Sequence, residues 1–384
     1  MRACSRTQQP RGPQASDGEC VMLSKGDDFP LHQTPEPVAY AGTDRNFYDR
    51  YFFNGYAPDG SGFFAVALGI YPHLNVADAH FSCIRDGVQY NLHASRELNM
   101  ERLDLAVGPI TIEVVEPLRS LRVKVAGEGI AAELTFTGRA FPIEEPRFTY
   151  RIGPRTFMDY TRLTQNGHYA GWIEVDGKRI DLAPGTTGTR DRSWGVRPVG
   201  ASDAQPHGHN VVSSFFWQWT PVNLPGRSLF FHVNADRHGA PWNTRAVIAP
   251  DGAAHDGFFE TPSATMASPM QPGTRWPAGG TLTIQRPEGP LSLTFEPIVR
   301  FQMRGLGYTS PKWGHGLYHG PLAVEREDLV LAELDPMAQT LENLHVQIIS
   351  RVTTSDGETG IGGFEQLVIG PYEPWGLKEY FDAG

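Results

Sequence analysis

Three observations predict an all-β fold of meandering antiparallel strands for this 384-residue chain. Short runs rich in β-branched and aromatic residues, often alternating apolar and polar, recur along most of its length. Tight-turn dipeptides separate many of them: Asp-Gly at 59–60, 86–87, 176–177, 251–252 and 356–357, and Asn-Gly at 54–55 and 166–167. These pairs favour the positive-φ geometry of two-residue hairpins. Helical periodicity is scarce, and Gly 42 with Pro 31 favours turns over long helices.

Taken in order, residues 1–21 are polar, contain Pro, Gly and Gln, and read as disordered. Met22 opens more ordered sequence and is a candidate translation start. The aromatic block Thr43–Tyr56 reads as the first strand. Further strands are expected at Phe63–Ile70, His80–Ile84, Val88–Leu92, Ile110–Glu116, Ser120–Val125, Ala131–Phe136 and Trp172–Val175. The second half repeats the style at Val211–Trp219, Ser228–Val233, Thr244–Ile248, Thr281–Gln285, Leu291–Phe295, Val299–Met303, Leu344–Thr353 and Phe364–Ile369. Strands at roughly ten-residue spacing argue for up-and-down barrels or sandwiches. The best helix candidate is a short connection at Asp335–Leu344. With no alternation of strand and long helix, a Rossmann or TIM fold is disfavoured. The chain exceeds one typical core and is divided into a tail at 1–34, a first unit at 35–187 and a second at 188–384.

Composition narrows the function. A formal net charge of -10 and the lack of a Lys/Arg block argue against nucleic acid as partner. Cys4, Cys20 and Cys83 make neither a disulfide framework nor a zinc site, which suits a reducing cytoplasm. No run of about 18 apolar residues predicts a transmembrane helix. No Gly-rich phosphate loop, dinucleotide fingerprint or nucleophile elbow occurs, so no organic cofactor and no serine hydrolysis are expected.

The most informative stretch is Gly188-Thr189-Arg190-Asp191-Arg192-Ser193-Trp194-Gly195-Val196-Arg197. On a strand, Thr189, Asp191 and Ser193 share one face, and Arg190, Arg192 and Trp194 the other. Asp191 is either part of a structural clamp or a carboxylic acid that apolar surroundings hold neutral for proton donation. Phe215, Trp217 and Trp219 share a face of the next strand, as inter-sheet core or as the wall of a pocket for a flat apolar ligand. Their π faces suit a developing cation. His168 precedes a hairpin with Trp172 on the same strand face, as a surface or hydrogen-bonded core residue or as a residue type suited to proton transfer. His207, His209, His315 and His319 have spacings that suit metal, but no HExxH-type motif accompanies them, and no metal is expected. Loops at a pocket mouth are the alternative for His315 and His319.

Three segments together resemble the double-lipocalin superfamily of AttH-like proteins and carotenoid 1,2-hydratases (hydroxyneurosporene synthases). They are Gly171–Gly177, Gly188–Gly195 and the Phe/Trp strand at 215–219, and the closing segment Gly363–Pro371 also looks like a subgroup of relatives. The likeness spans most of residues 35–375. It implies two packed lipocalin-like antiparallel β-barrels. It also implies that Asp191 matches an Asp thought to protonate an isolated double bond, and that Trp217 and Trp219 match the aromatic strand after it. Thr189 stands where the hydratases carry Tyr, and His168 and Trp172 align only loosely with their upstream His and Trp.

The expected function is therefore a cofactor-independent lyase or isomerase/cyclase acting on a lipophilic terpenoid-, steroid- or polyketide-like small molecule. Hydration, dehydration, isomerisation and cyclisation by acid catalysis all fit. Asp191 is the expected proton donor, with His168 or His315 handling water. Phe215, Trp217, Trp219, Trp172, Arg190, Arg192, Trp194 and His319 are the expected substrate contacts. The alternative is a non-catalytic carrier of a lipophilic metabolite, with Asp191 permanently ionised against Arg190 or Arg192. The oligomeric state stays open.

Overall fold

In the computed structural model, strand follows strand because the alternating runs pair with their sequence neighbours across short turns. The structure describes residues 28–29, 44–99, 101–202 and 214–383. The expectations for the tail at 1–21, for Met22, and for His207 and His209 lie outside the described residues.

The first sheet takes β1 (Phe47–Tyr56), β2 (Phe63–Tyr71), β3 (Val76–Arg85), β4 (Val88–Glu97), β5 (Ala106–Val107), β6 (Ile110–Glu116), β7 (Ser120–Gly127), β8 (Ile130–Gly138), β9 (Ile143–Ile152), β10 (Arg155–Val175), β11 (Lys178–Asp181) and β12 (Thr187–Val196). The second takes β13 (Phe215–Trp219), β14 (Val222–Leu224), β15 (Arg227–Ala235), β16 (Pro241–Pro250), β17 (Phe259–Thr261), β18 (Ala264–Ala267), β19 (Gly280–Ile284) and β20 (Leu291–Gln302). The chain then crosses back. β21 (Leu322–Val330) pairs with β4 in the first sheet, before β22 (Val346–Thr354) and β23 (Thr359–Ile369) complete the second. All strand pairings are antiparallel.

Each sheet curls, β5 and β6 approaching β3 and β4, and β16 approaching β18. The result is two lipocalin-like barrels, each with its own apolar filling. Tyr51, Phe53, Phe64, Val66 and Leu121 fill the first, and Leu229, Phe231, Leu293, Phe295 and Phe364 the second. A third apolar cluster, with Phe52, Phe63, Trp217, Trp219, Phe301 and Leu306, takes residues from both sheets and lies between them. Period-2 alternation creates this arrangement, because Tyr51 and Phe53 point into their barrel while Phe52 points out of it.

Three expectations are corrected. The Asn-Gly pairs at 54–55 and 166–167, read as turns, lie inside β1 and β10, where both pair with β12. Thr187–Val196 is a central strand of the first sheet, between β1 and β10. The passage to the second sheet therefore falls after Val196, not at 187/188, and β21 returns to the first sheet from beyond it. The helix expected at Asp335–Leu344 is a single turn, Leu341–Leu344. No helix among the described residues is long and apolar enough to cross a membrane.

Candidate active site between the barrels

β12 is hydrogen-bonded on both sides, so each of its side chains must point into the first barrel or out toward the second. Asp191 lies opposite Phe52 of β1 and Thr164 of β10, and shares their outward face. Arg190 and Arg192 turn inward. Arg190 donates to Gln165 Oε1 at 2.7 Å and to Asp28, and Arg192 donates to Asp49 and to the Phe29 carbonyl. The Arg–Asp clamp suggested by the sequence exists, but its carboxylates are Asp28 and Asp49. Asp191 faces away from it, so the ion pairs required by the carrier reading are absent.

Around Asp191 gather charged groups that the sequence reading did not single out. Arg162, two residues from Thr164 on the same face, places Nε 4.0 Å from the Asp191 carboxyl and Nη1 3.6 Å from Glu145. Its guanidinium lies 5.2 Å from the Trp217 ring centroid and 5.8 Å from that of Trp219. Glu145 accepts from the Thr164 hydroxyl at 2.7 Å and from the Trp219 indole N–H at 3.1 Å. Glu365 accepts from the Trp217 indole at 3.1 Å, from His345 Nε2 at 2.9 Å and from Gln347 at 3.2 Å. The indole N–H groups thus anchor two carboxylates, and their rings join the apolar cluster between the barrels.

These surroundings drive the carboxyls apart. Burial pushes Asp191 up; Arg162 opposes this, Glu145 and Glu365 add to it, and the result is about 7. Burial also works to raise Glu145, but Arg162, His232 and the bonds from Thr164 and Trp219 outweigh it and hold this group below the usual carboxylate range. Glu365 is likewise held low against burial, by His345, Arg162 and Trp217. One neutral acid between two fixed anions is the pattern expected of separated acid and base roles. Among the described residues no donor hydrogen-bonds to the Asp191 carboxyl, whose side chain keeps 10% exposure beside Arg162 at 12% and Glu365 at 10%.

The expected site residues separate accordingly. Phe215, Trp217 and Trp219 meet the Asp191 face. His315 joins the same inter-barrel layer, but as an acceptor. Its Nε2 lies 3.1 Å from the Leu306 carbonyl and also against Arg50 Nη1, and its Nδ1 lies 2.7 Å from Arg197 and 3.1 Å from Arg50, so which ring nitrogen accepts from the guanidiniums depends on the tautomer. Burial, with Arg50 and Arg197, pushes its pKa well below the ordinary imidazole value, so it is neutral. His168 is exposed. It shares the face of Thr164 but sits four residues further along β10, about 13 Å at strand rise, beyond the cover of the second barrel. Trp172 stacks under Arg179, 4.3 Å away, on the β10–β11 hairpin. His319 packs on Trp313, ring centroids 4.4 Å apart. Trp194, half-buried on β12, alternates with Asp191 and takes the other face of the strand. Among the described residues no group of three or more His, Cys, Asp or Glu is placed to hold a metal ion.

Missed by the sequence reading were Glu145, Arg162, His232, His345 and, as a site residue, Glu365. The available signal was a charged residue within an otherwise apolar or alternating strand, as at Phe364-Glu365-Gln366-Leu367.

Two curled antiparallel sheets with a polar cluster locked between them define a double-lipocalin protein, the fold that the sequence resembles. The chain belongs to a family of unknown function (DUF8625), whose model matches residues 23–378. Among solved structures it is similar to a putative AttH from Nitrosomonas europaea. That match has 14% identity, a TM-score of 0.51, and covers 88% of this chain and 98% of that one. CghA bound to Sch210972 is also similar, at 12% identity and TM-score 0.50, covering 91% and 94%. Kievitone hydratase from Nectria haematococca matches at 13% and 0.44, covering 83% and 88%. No curated protein matches in sequence.

Proposed function

We propose that this protein is a cofactor-independent enzyme of the hydratase or cyclase type, acting by proton donation from Asp191 on an apolar terpenoid-, steroid- or polyketide-like molecule bound between the barrels. At such identities the structural neighbours speak for the fold alone, and the chemistry is argued from the site. The observation that carries the reading is the Asp191 carboxyl itself: buried, without a hydrogen bond among the described residues, and set among indole rings and two anchored carboxylates.

A carboxylic acid poised near neutrality transfers its proton to an alkene carbon or a leaving hydroxyl. The carboxylate that remains has the Arg162 guanidinium at 4.0 Å to take up its charge. The developing cation faces the Trp217 and Trp219 π systems and the Glu145 and Glu365 anions, which their hydrogen bonds already fix in place. Capture of the cation by water, with return of a proton to solvent or Asp191, completes hydration. Loss of a neighbouring proton to the Asp191 carboxylate completes isomerisation.

The test is mass spectrometry of a lipophilic substrate panel incubated in heavy-oxygen water with the wild type and Asp191→Asn. Label gain, water loss or isomerisation with the wild type alone is the expected result. Equal conversion by both proteins, or ligands retained unchanged by both, refutes acid catalysis by Asp191 on that panel.

A further inference from the structure

The outward face of β1 continues past Phe52 to Arg50 and Tyr48, which pair with Ser193 and Gly195 of β12. Arg50 therefore lies about 7 Å along the sheet from the Asp191 level. Its guanidinium is buried, yet among the described residues it has no carboxylate within ion-pair distance. It donates to the Leu306 carbonyl at 2.7 Å and to His315, a neutral ring. Arg197 lies 2.7 Å from Nδ1 of the same ring and likewise has no carboxylate at ion-pair distance. The Nε–H groups of both arginines are buried and find no acceptor among the described residues. Asp78 feels both charges from further off, and its oxygens are taken by the Tyr71 hydroxyl at 3.2 Å and the Gly316 N–H at 2.7 Å. Tyr308 closes the group, with Arg50 4.6 Å and Arg197 5.7 Å from its ring centroid. Arg197, His315 and Tyr308 keep partial solvent exposure although they lie between the sheets.

Arg50 is buried and Arg197 partly so; they share one neutral acceptor, and among the described residues no carboxylate comes within ion-pair distance to offset the desolvation, Asp78 acting only from further off. In contrast, Arg190 and Arg192, fully buried on the opposite face of β12, each have an aspartate. The missing charge belongs to something that enters. We infer that Arg50 and Arg197 form an anion-binding site, and that the ligand is an apolar molecule bearing one ionised acidic group, such as a carboxylate or enolate. This rests on the inter-barrel site proposed above and names its substrate class. The acidic group would dock on Arg50 and Arg197 while the apolar body extends along Phe52, Trp217 and Trp219 toward Asp191. The bond to be protonated then lies several ångströms from the acid group, within one molecule.

The test compares two fluorescent probes with the same aromatic framework. One is 1-anilinonaphthalene-8-sulfonate, an anion; the other is the uncharged N-phenyl-1-naphthylamine. Titrations at fixed ionic strength use the full chain as wild type, Arg50→Gln, Arg197→Gln and Asp191→Asn, each checked for a wild-type circular dichroism spectrum. The expected result is tighter binding of the sulfonate by the wild type, and its loss by roughly tenfold to a hundredfold in either arginine variant, the size of a lost charge-assisted bond. The uncharged probe should bind all four proteins alike, and Asp191→Asn should keep the sulfonate. Arg197 stands just beyond β12, so its variant remains informative if Arg50→Gln does not fold. Equal affinity for the two probes, or sulfonate binding unchanged in the arginine variants, overturns the anion site and leaves the acid-catalysis reading standing. Failure of both probes to bind the wild type overturns the apolar inter-barrel site and this inference with it.

Discussion

Asp191→Asn should change how stability depends on pH. In the fold the carboxyl stands at about 7 against 3.8 for a free aspartate, chiefly through burial. Between those two values the folded chain binds a proton that the unfolded chain has released, so wild-type stability falls as pH rises. Below about pH 4 both states are protonated and the contribution is fully present. It is lost as pH passes through about 7, and the whole change corresponds to at most about 4 kcal/mol. Asn keeps the shape, cannot ionise, and carries no such slope. Guanidinium unfolding of wild type and Asp191→Asn at pH 5, 6, 7 and 8 gives the difference directly. Any pH-independent effect of the amide, such as a lost or gained hydrogen bond, appears as a constant offset. The variant should gain on the wild type most steeply between pH 5 and 6, by about 1.3 kcal/mol per pH unit, and the gain should level off above pH 7. A gap that stays constant from pH 5 to 8 would show that Asp191 ionises like a surface carboxylate and would remove the basis for its role as an acid.

Two further substitutions check the geometry. Gly195 has φ +137 and pairs with Tyr48 and Tyr160, and a Cβ there would clash with the Asp159 carbonyl oxygen. Gly195→Ala should therefore lower stability by roughly 2–4 kcal/mol, read as a drop in the guanidinium midpoint; an unchanged midpoint would contradict the β12 register. His168→Ala, at an exposed position, should leave stability within about 0.5 kcal/mol and leave turnover of any substrate found in the labelled-water screen unchanged. A loss of turnover would return His168 to the site.

The strand order was legible where alternation and turn dipeptides coincide, as from Phe63 to Phe136. It was not legible at Leu322–Val330, whose burial is mixed and whose partner β4 lies more than 200 residues earlier in the chain. The aromatic wall could be read because Phe215, Trp217 and Trp219 are consecutive on one strand face. Glu145 and Arg162 could not, because they pair across the β9–β10 hairpin, for which no strand was read at 143–169, and Glu365 joins them only when the second sheet packs on the first.

By itself the sequence determined the all-β class, the Asp-Gly turns, and the separation of Asp191 from Arg190 and Arg192 onto opposite faces of one strand. Those properties follow from local backbone chemistry and a side-chain period of two. Tertiary structure alone decided which face met the second barrel. That choice gave Arg190 and Arg192 their aspartates, left Asp191 among indoles and anions, and set Arg50 and Arg197 with no carboxylate at ion-pair distance among the described residues. Burial and long-range charge set whether a carboxyl is neutral, and both depend on residues that a linear reading keeps far apart.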